Sequence, residues 1–385
     1  MNLLILIGNG FDLHHSLPTD YGSFIKWLVK QNLKNVLTNE QGDDDLFVIT
    51  KENSYVSEMS INPPSMDELV ERLLQDHAKK EMTIITTAFK KFKCKLSPNG
   101  NFASQIIENI QTRQWVDIEM EYFKQLSIIL KNYSQEHPNK ANGSNNYNAS
   151  IDLDTLNRNL TCLTAKLRDY LREVAGNAMA NDHFGDIASD PIPSNVIQDK
   201  HHLNRLQNDD YDDPENKRYI KPKEVLFLNF NYTTLPNRLH DRFKKFRHIN
   251  IHGTIHDQNT PPTFGYGDEV GEEYSNMEKT NENRFLTFTK SFAYSQNNNY
   301  ANLIRFIESD SFCVYIWGHS CGLSDRTLLN MIFEHDNCAA IQPFYWKRPD
   351  DTDNFTEMIQ NLSRHFKNKQ KFRNRLVNKQ ECRAL

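Results

Sequence analysis

The chain opens MNLLILIGNGFD, an apolar run from Leu3 to Ile7 that ends in glycines. That is the pattern of a strand buried on both faces of a parallel sheet as it empties into a loop. Thr19 to Leu33 follows with apolar positions at Phe24, Trp27 and Leu28 and with Thr19 read as the N-cap, so the start reads strand, tight turn, helix. From Asn39 to Pro64 the text turns polar and reads as loop. Ser65 to Val174 then carries four helical patterns (MDELVERLLQDHAKK, FASQIIENIQTR, EMEYFKQLSIILKNY and LDTLNRNLTCLTAKLRDYLREV) with hardly any strand pattern. Two Asn- and Asp-rich stretches, Ser134 to Ser150 and Ser194 to Pro222, read as surface loops bounding this region.

Strand patterns resume at Glu224 to Tyr232 (EVLFLNFNY), Phe246 to Gly253 (FRHINIHG) and Ser311 to Ser320 (SFCVYIWGHS), with helical patterns around Thr234 to Phe243 and in DRTLLNMIFEH, and with AAIQPFYW as a final strand. Strands alternating with helices predict an α/β fold: a doubly wound parallel sheet whose ligand sits at the carboxyl ends of the strands. The predicted core is residues 1–38 and 223–385, a nucleotide-binding domain interrupted by a large, mainly helical insertion at 39–222.

Composition narrows this picture. The 385 residues suffice for two domains, and 38% hydrophobic residues, including 23 Phe, allow a core beneath a polar surface. A net charge of -5 gives no general attraction to nucleic acid or anionic lipid, and the basic stretch Lys367 to Arg383 reads as a solvated face. The six cysteines form no CxxC pair, so reduced, mostly buried thiols are expected rather than a zinc ribbon or dithiol redox motif. The apolar start is too short to span a membrane, and a cytoplasmic location is expected.

Four clusters fall at predicted strand ends. Gly8, Asn9 and Gly10 stand between a strand and a helix, where glycines allow a tight turn and a helix N-terminus can meet a phosphate, although the three-glycine dinucleotide fingerprint is absent. Asn229 to Thr233 (NFNYT) places amides at the end of an apolar strand, where they either project into a ligand crevice or cap a turn. His252 and Gly253 offer a group that titrates near neutral pH beside open space, against the alternative of a structural histidine. Gly318, His319, Ser320 and on to Asp325 (GHSCGLSD) would fit a phosphate or ribose contact.

The fourth cluster also spells G-x-S-x-G, the nucleophile elbow of serine hydrolases. With Ser320 as nucleophile, only Asp350, Asp351 or Asp353 and then His365 could complete the triad in chain order, and the other three clusters would stay unexplained. A nuclease would need carboxylates and histidines grouped for divalent metal; the acids here form no such set, and no metal is expected.

Taken together, GNGFDLHHSLPTDY, QWVDIEMEY, LNFNYTT, NIHGTI with FGYGDE, and YIWGHSCGLSD resemble the AbiH family of phage abortive-infection proteins from residue 1 to about Phe333. Trp115, Asp117 and Glu119 stand where that family has a W-x-D-x-E-like stretch, which would also suit a helix start with acids near the positive dipole end. A more distant similarity is to sirtuin-like NAD-binding domains. Gly8, Gly10, Asp12, Ser16, Leu17 and Pro18 keep the spacing of their G-A-G and G-I-P elements, with Ser16 in place of a glycine, Asp12 where serine is common and Asn9 where alanine is usual. Asn231 resembles their asparagine, His252 their general base, and Gly318 to Ser320 their nucleotide contact, while Thr233 replaces an acidic residue.

These resemblances imply an antiviral, abortive-infection role and a sirtuin-like Rossmann core that binds NAD. With no CxxC pairs the zinc module of protein deacylases is missing, so NAD hydrolysis is implied rather than deacylation. Asn231 and His252 would be catalytic. Gly8, Asn9, Gly10, Asp12, Gly318, His319, Ser320 and Asp325 would hold the cofactor, with Asp12 also placed to stabilise oxocarbenium-like charge. The competing expectations are a nucleotide switch or interaction module without hydrolysis and, behind it, the Ser320 hydrolase. Candidate partners are a nucleotide, a phage-derived trigger or defence partner protein, and further copies of the chain; neither membrane nor nucleic acid is expected.

Overall fold

A computed structural model describes residues 1–38, 46–53, 65–75, 82–85, 91–113, 117–136, 147–176, 182–199, 202–203, 219–239, 246–258 and 260–385. Packing divides the chain into two units. The first contains Met1–Thr19, Leu171–Asn276 and Phe288–Leu385; the second contains Asp20–Tyr170 and Met277–Thr287. These borders lie away from residues 38 and 222: the first long helix falls in the second unit, and residues 171–222 contribute to the first.

In chain order the strands are β1 (Asn2–Ile7), β2 (Phe47–Asn53), β3 (Met82–Ile85), β4 (Lys91–Pro98), β5 (Ile192–Pro193), β6 (Tyr219–Ile220), β7 (Val225–Asn229), β8 (Phe246–Asn250), β9 (Phe312–Trp317) and β10 (Cys338–Phe344). The first unit holds a five-stranded sheet in the order β10-β9-β1-β7-β8, every pair parallel. Numbered by their own succession, these five strands run 3-2-1-4-5 across the sheet, so the order reverses between β1 and β9. Alternating side chains of the buried strands feed two cores, as pleating requires. Leu3, Ile5 and Ile7 pack with Phe227, Tyr315 and Trp317 on one face, while Leu4 and Leu6 pack with Leu226, Leu228, Val314 and Ile316 on the other.

Helices cover both faces. Phe184 and Ile187 from the helix Asp182–Ser189 join the first core. Leu303, Phe306 and Ile307 from Asn299–Ser309, and Leu328, Leu329, Ile332 and Phe333 from Arg326–Glu334, join the second. Their spacing of three and four residues is the apolar stripe of a helix lying on a sheet. Buried on both sides, each Leu, Ile or Phe contributes about 1.5–3 kcal/mol.

The strand ends are level. Ile7 pairs with Trp317 and with Asn229, Asn229 with Asn250, and Trp317 with Phe344. The sequences GNG, NFNYT, IHG and GHS therefore all leave the sheet along one edge.

The helices of the N-terminal half are α1 (Asn9–His14), α2 (Tyr21–Leu37), α3 (Met66–Gln75), α4 (Gly100–Arg113), α5 (Ile118–Glu136) and α6 (Tyr147–Ala175). The four helical patterns of the insertion form α3 to α6. The N-cap of α2 is Asp20, whose side chain accepts from the Ser23 amide, and not Thr19. The insertion is also less purely helical than its sequence suggests. β2, β4 and β3 make an antiparallel sheet, with β2 inside the stretch read as loop. The pattern at Thr234 to Phe243 gives only a 3-10 helix, Leu235–Leu239, its remainder lying outside the described residues. Most of the two loop stretches lies outside them too; Ser134–Glu136 ends α5.

All six cysteines are free thiols, five of them buried and Cys162 partly so. Among the described residues no helix is long and apolar enough to cross a membrane, and no His, Cys, Asp and Glu group is arranged to hold a metal ion. The basic C-terminal stretch folds back on acidic partners: Lys371 on Asp336, Lys379 on Asp353 and Arg383 on Asp190, with Arg375 buried against the Phe333 carbonyl.

Candidate functional site

At the end of β1 the glycines serve contact between two turns. The Gly8 amide donates to the Trp317 carbonyl (3.0 Å) and the Gly10 amide to the Gly318 carbonyl (2.8 Å). A Cβ on Gly8 would stand 2.4 Å from His319 Cα, and one on Gly10 2.7 Å from Gly318 Cα. Gly318 reciprocates: at φ +65°, its Cβ would lie 2.2 Å from the Phe11 nitrogen. Only glycine tolerates that approach and that dihedral. The two amides expected to meet a phosphate are thus spent inside the protein, holding GNG against GHS. Asn9 Oδ1 accepts from the Thr19 hydroxyl, which ties the turn to the chain leading into α2.

Asn231 makes a second tie across the sheet. Its Nδ2 donates to the Gly8 carbonyl (3.0 Å), and its backbone amide is held by Asn229 Oδ1 (3.0 Å). Asn229 in turn donates to the Thr233 carbonyl and to Asn250 Oδ1. Asp12 lies beneath, fully buried, and accepts from the Thr233 hydroxyl (2.7 Å). Burial pushes its carboxyl up to about 6, against the side chains of Thr233, Asn231 and Thr19, which pull it down. Its other oxygen, Oδ1, meets no hydrogen-bond donor among the described residues.

The densest chemistry lies around Asp325, at the end of GHSCGLSD. Oδ1 is 2.8 Å from Lys290 Nζ and 3.2 Å from His252 Nε2, and Oδ2 is 3.6 Å from His319 Nε2. The side chains are 0% (Lys290), 4% (His252), 5% (His319) and 10% (Asp325) exposed, so these charges meet at low dielectric. Burial alone would raise the Asp325 carboxyl, but Lys290 first, and then His252 and His319, hold it well below the usual range. His252 is pushed down by burial and by Lys290, with Asp325 opposing.

Hydrogen-bond roles constrain both rings. His319 Nδ1 accepts from the Cys321 amide (3.0 Å), so the proton of the neutral ring sits on Nε2, facing Asp325. His252 Nδ1 faces the Phe230 carbonyl (3.3 Å), and its Nε2 faces Asp325 Oδ1 and the Tyr294 hydroxyl (3.2 Å each). Carbonyl and carboxylate both accept, and a neutral imidazole has one proton to donate. Either Nδ1–H goes to Phe230 while Tyr294 donates to Nε2, or Nε2–H goes to Asp325.

Three loops hold this cluster together. Tyr266 exchanges backbone hydrogen bonds with Phe288 and Lys290, and the Thr327 amide donates to the Gly267 carbonyl. Gly253, read as making room for a substrate, has φ +73°, and its Cβ would stand 2.3 Å from the Pro261 carbonyl oxygen; its role is the turn.

The hydrolase elbow does not assemble. Ser320 is exposed, and its carbonyl is held by Asn361. The left-handed backbone falls on Gly318 and Cys321 on either side, whereas an elbow strains at its nucleophile. His365 Nε2 contacts the Cys321 carbonyl, and Asp350, Asp351 and Asp353 hydrogen-bond or pair with Thr352, Lys347 and Lys379. Trp115 lies outside the described residues; Asp117 caps α5 by accepting from the Met120 amide. A cavity of about 590 Å³ in the second unit, lined by Asp20, Lys26 and Glu71 among others, contains none of the candidate catalytic or cofactor-binding residues.

The structure thus groups His252 and His319 around the Asp325 carboxylate, joins Gly8, Gly10, Asn231 and Gly318 as struts, and leaves Ser320 outside. Sequence reasoning missed Lys290 and Tyr294, which carry no motif. The Gly-rich FGYGDE, whose Tyr266 carbonyl accepts the Lys290 amide, was the nearest signal. The family model for bacteriophage abortive infection AbiH matches residues 4–346, spanning every one of these clusters. The chain belongs to the AbiH family. In this member the motif residues that open and close the matched region face each other across β1 and β9. No curated protein and no solved structure matches the chain.

Proposed function

We propose that this AbiH protein acts in phage abortive-infection defence by binding a nucleotide at the carboxyl edge of its parallel sheet and hydrolysing NAD there. The observation that carries the reading is the His252–Asp325–Lys290 cluster, which lies at that edge. A 3-2-1-4-5 order is that of doubly wound Rossmann folds, whose ligands bind where the order reverses, here between β1 and β9. The likeness to sirtuin-like NAD-binding domains gains one conformational support: Ser16, where those domains have glycine, holds φ 61°.

In the reaction, water adds to the anomeric carbon of the nicotinamide ribose as the carbon–nitrogen bond breaks. The bonding electron pair returns to the pyridinium nitrogen, and the water's proton passes to a base. The Nδ1–H tautomer of His252 presents an Nε2 lone pair for that proton, with substrate water taking the place of the Tyr294 hydroxyl. Burial and Lys290 favour the neutral ring such a base requires. Asp12 supplies a buried carboxylate with one unmatched oxygen for the oxocarbenium-like charge. Asn231 holds the edges of β1 and β7 together, and the diphosphate contact to Gly8 and Gly10 is dropped because their amides are engaged.

That engagement, with partners on both His252 nitrogens, favours a second reading in which the site binds a nucleotide as a switch and signals to a partner. Chromatography of NAD and ATP incubated separately with purified protein tests the first. Nicotinamide and ADP-ribose from NAD, with ATP intact, are expected; intact NAD, also with phage components added, would leave the switch.

A further inference from the structure

We propose that Lys290 is the positioning residue of this site: its buried ammonium group fixes Asp325 as an anion beside His252 and His319, and so keeps His252 neutral. The functional consequence rests on the reading of His252 as base; the charge arrangement does not.

Lys290 Nζ and Asp325 Oδ1 are 2.8 Å apart with the lysine side chain fully buried, and together they sum to zero. Adding a proton to His252 would place a net positive charge in this interior, which low dielectric opposes. Without Lys290 the sum reverses: Asp325 would be an unbalanced anion 3.2 Å from His252 Nε2, and an imidazolium there would neutralise it. The lysine therefore stands in for the proton that His252 must lack to act as a base. The other titratable groups facing the carboxylate are His319, Cys321 and His365; none supplies a permanent cation. Arg326, next in the chain, is turned onto Asp268.

The placement is built rather than incidental. The Lys290 amide donates to the Tyr266 carbonyl (2.8 Å), and the Thr289 hydroxyl donates to the Tyr266 hydroxyl (2.9 Å). A Cβ on Gly267 would lie 3.6 Å from Lys290 Cδ, so the FGYG loop lines the lysine stem. A buried ion pair is a poor device for stability alone, since apolar side chains of the same volume do as well or better.

Side-chain nitrogen NMR of the full chain with labelled histidine reads the proton directly and needs no substrate. In the wild type, His252 is expected to stay neutral at pH 7 and to titrate below the ordinary histidine range. In Lys290→Met it should bind its proton at least about tenfold more tightly; an unchanged His252 titration in the folded variant overturns the proposal. Should that variant not fold, Lys290→Met/Asp325→Asn removes both charges and should fold with a neutral His252. A His252 protonated at pH 7 in that double variant, or in the wild type, overturns it equally. If the protein cleaves NAD, the acid limb of its pH profile should move up in Lys290→Met together with the His252 titration. Absence of cleavage leaves the NMR result standing, so failure of the proposal and failure of the NAD reading are told apart.

Discussion

Replacing Asp12 by Asn should stabilise the protein at neutral pH, by an amount that the surroundings of Asp12 set. The carboxyl is fully buried, and burial lifts it from an ordinary 3.8 to about 6. That gap corresponds to about 3 kcal/mol. The sign follows from linkage. A folded value above the unfolded one means stability that is full below the unfolded value and is lost as pH rises through the folded value. The wild type therefore loses about 3 kcal/mol between pH 4 and pH 6, and Asp12→Asn does not. Asparagine removes the charge and keeps an oxygen for the Thr233 hydroxyl. At pH 8 the variant should melt about 6–12 °C higher; at pH 5 the advantage should fall to about half. Thermal unfolding followed by circular dichroism at both pH values reads this. A variant less stable at pH 8, or an advantage independent of pH, would refute the reasoning.

Gly318→Ala combines a left-handed dihedral, costing about 1–2 kcal/mol, with an overlap on the Phe11 nitrogen, costing about 1–3 kcal/mol. Denaturant unfolding should show a loss of that combined order, and a neutral outcome would contradict the turn-to-turn contact. Ser320 should not react with a fluorophosphonate probe, read by intact-protein mass; stoichiometric labelling would restore the hydrolase reading. Asn231→Ala should lose about 1–2 kcal/mol with its tie to the Gly8 carbonyl. Because Asn231 holds β1 to β7, NAD turnover in this variant should fall only as far as folding does, with melting recorded alongside.

The parallel sheet was legible because Leu3–Ile7 of β1, Val225–Leu228 of β7 and Phe312–Trp317 of β9 are unbroken apolar runs, a pattern that burial on both faces explains. Loop chemistry at the strand ends was legible for the same reason, since polar and glycine clusters interrupt those runs abruptly. The small sheet of the insertion was missed although β4 carries a signal. In KFKCKLSP apolar and charged residues alternate with period two, and Cys94 and Leu96 are buried while Lys95 is exposed. β2 is harder, a short apolar start running into Lys51 and Glu52 within polar text. Lys290 could not be read at all: it reaches Asp325, 35 residues away, only through the packing of FGYG on the chain before it. Gly8, Gly10 and Asn231 were found for their chemistry but hold backbone together, because a glycine that permits a ligand's approach equally permits another turn's.

The central claim, that defence runs through NAD cleavage at the His252 site, is tested most directly by measuring NAD in phage-challenged cells carrying either the wild-type chain or His252→Ala at equal protein level. The expected result is loss of NAD and arrest of phage growth with the wild type, and preserved NAD with unchecked phage growth for the variant. Arrest of phage growth by His252→Ala as strong as that by the wild type, or arrest by the wild type with NAD undiminished, would contradict it.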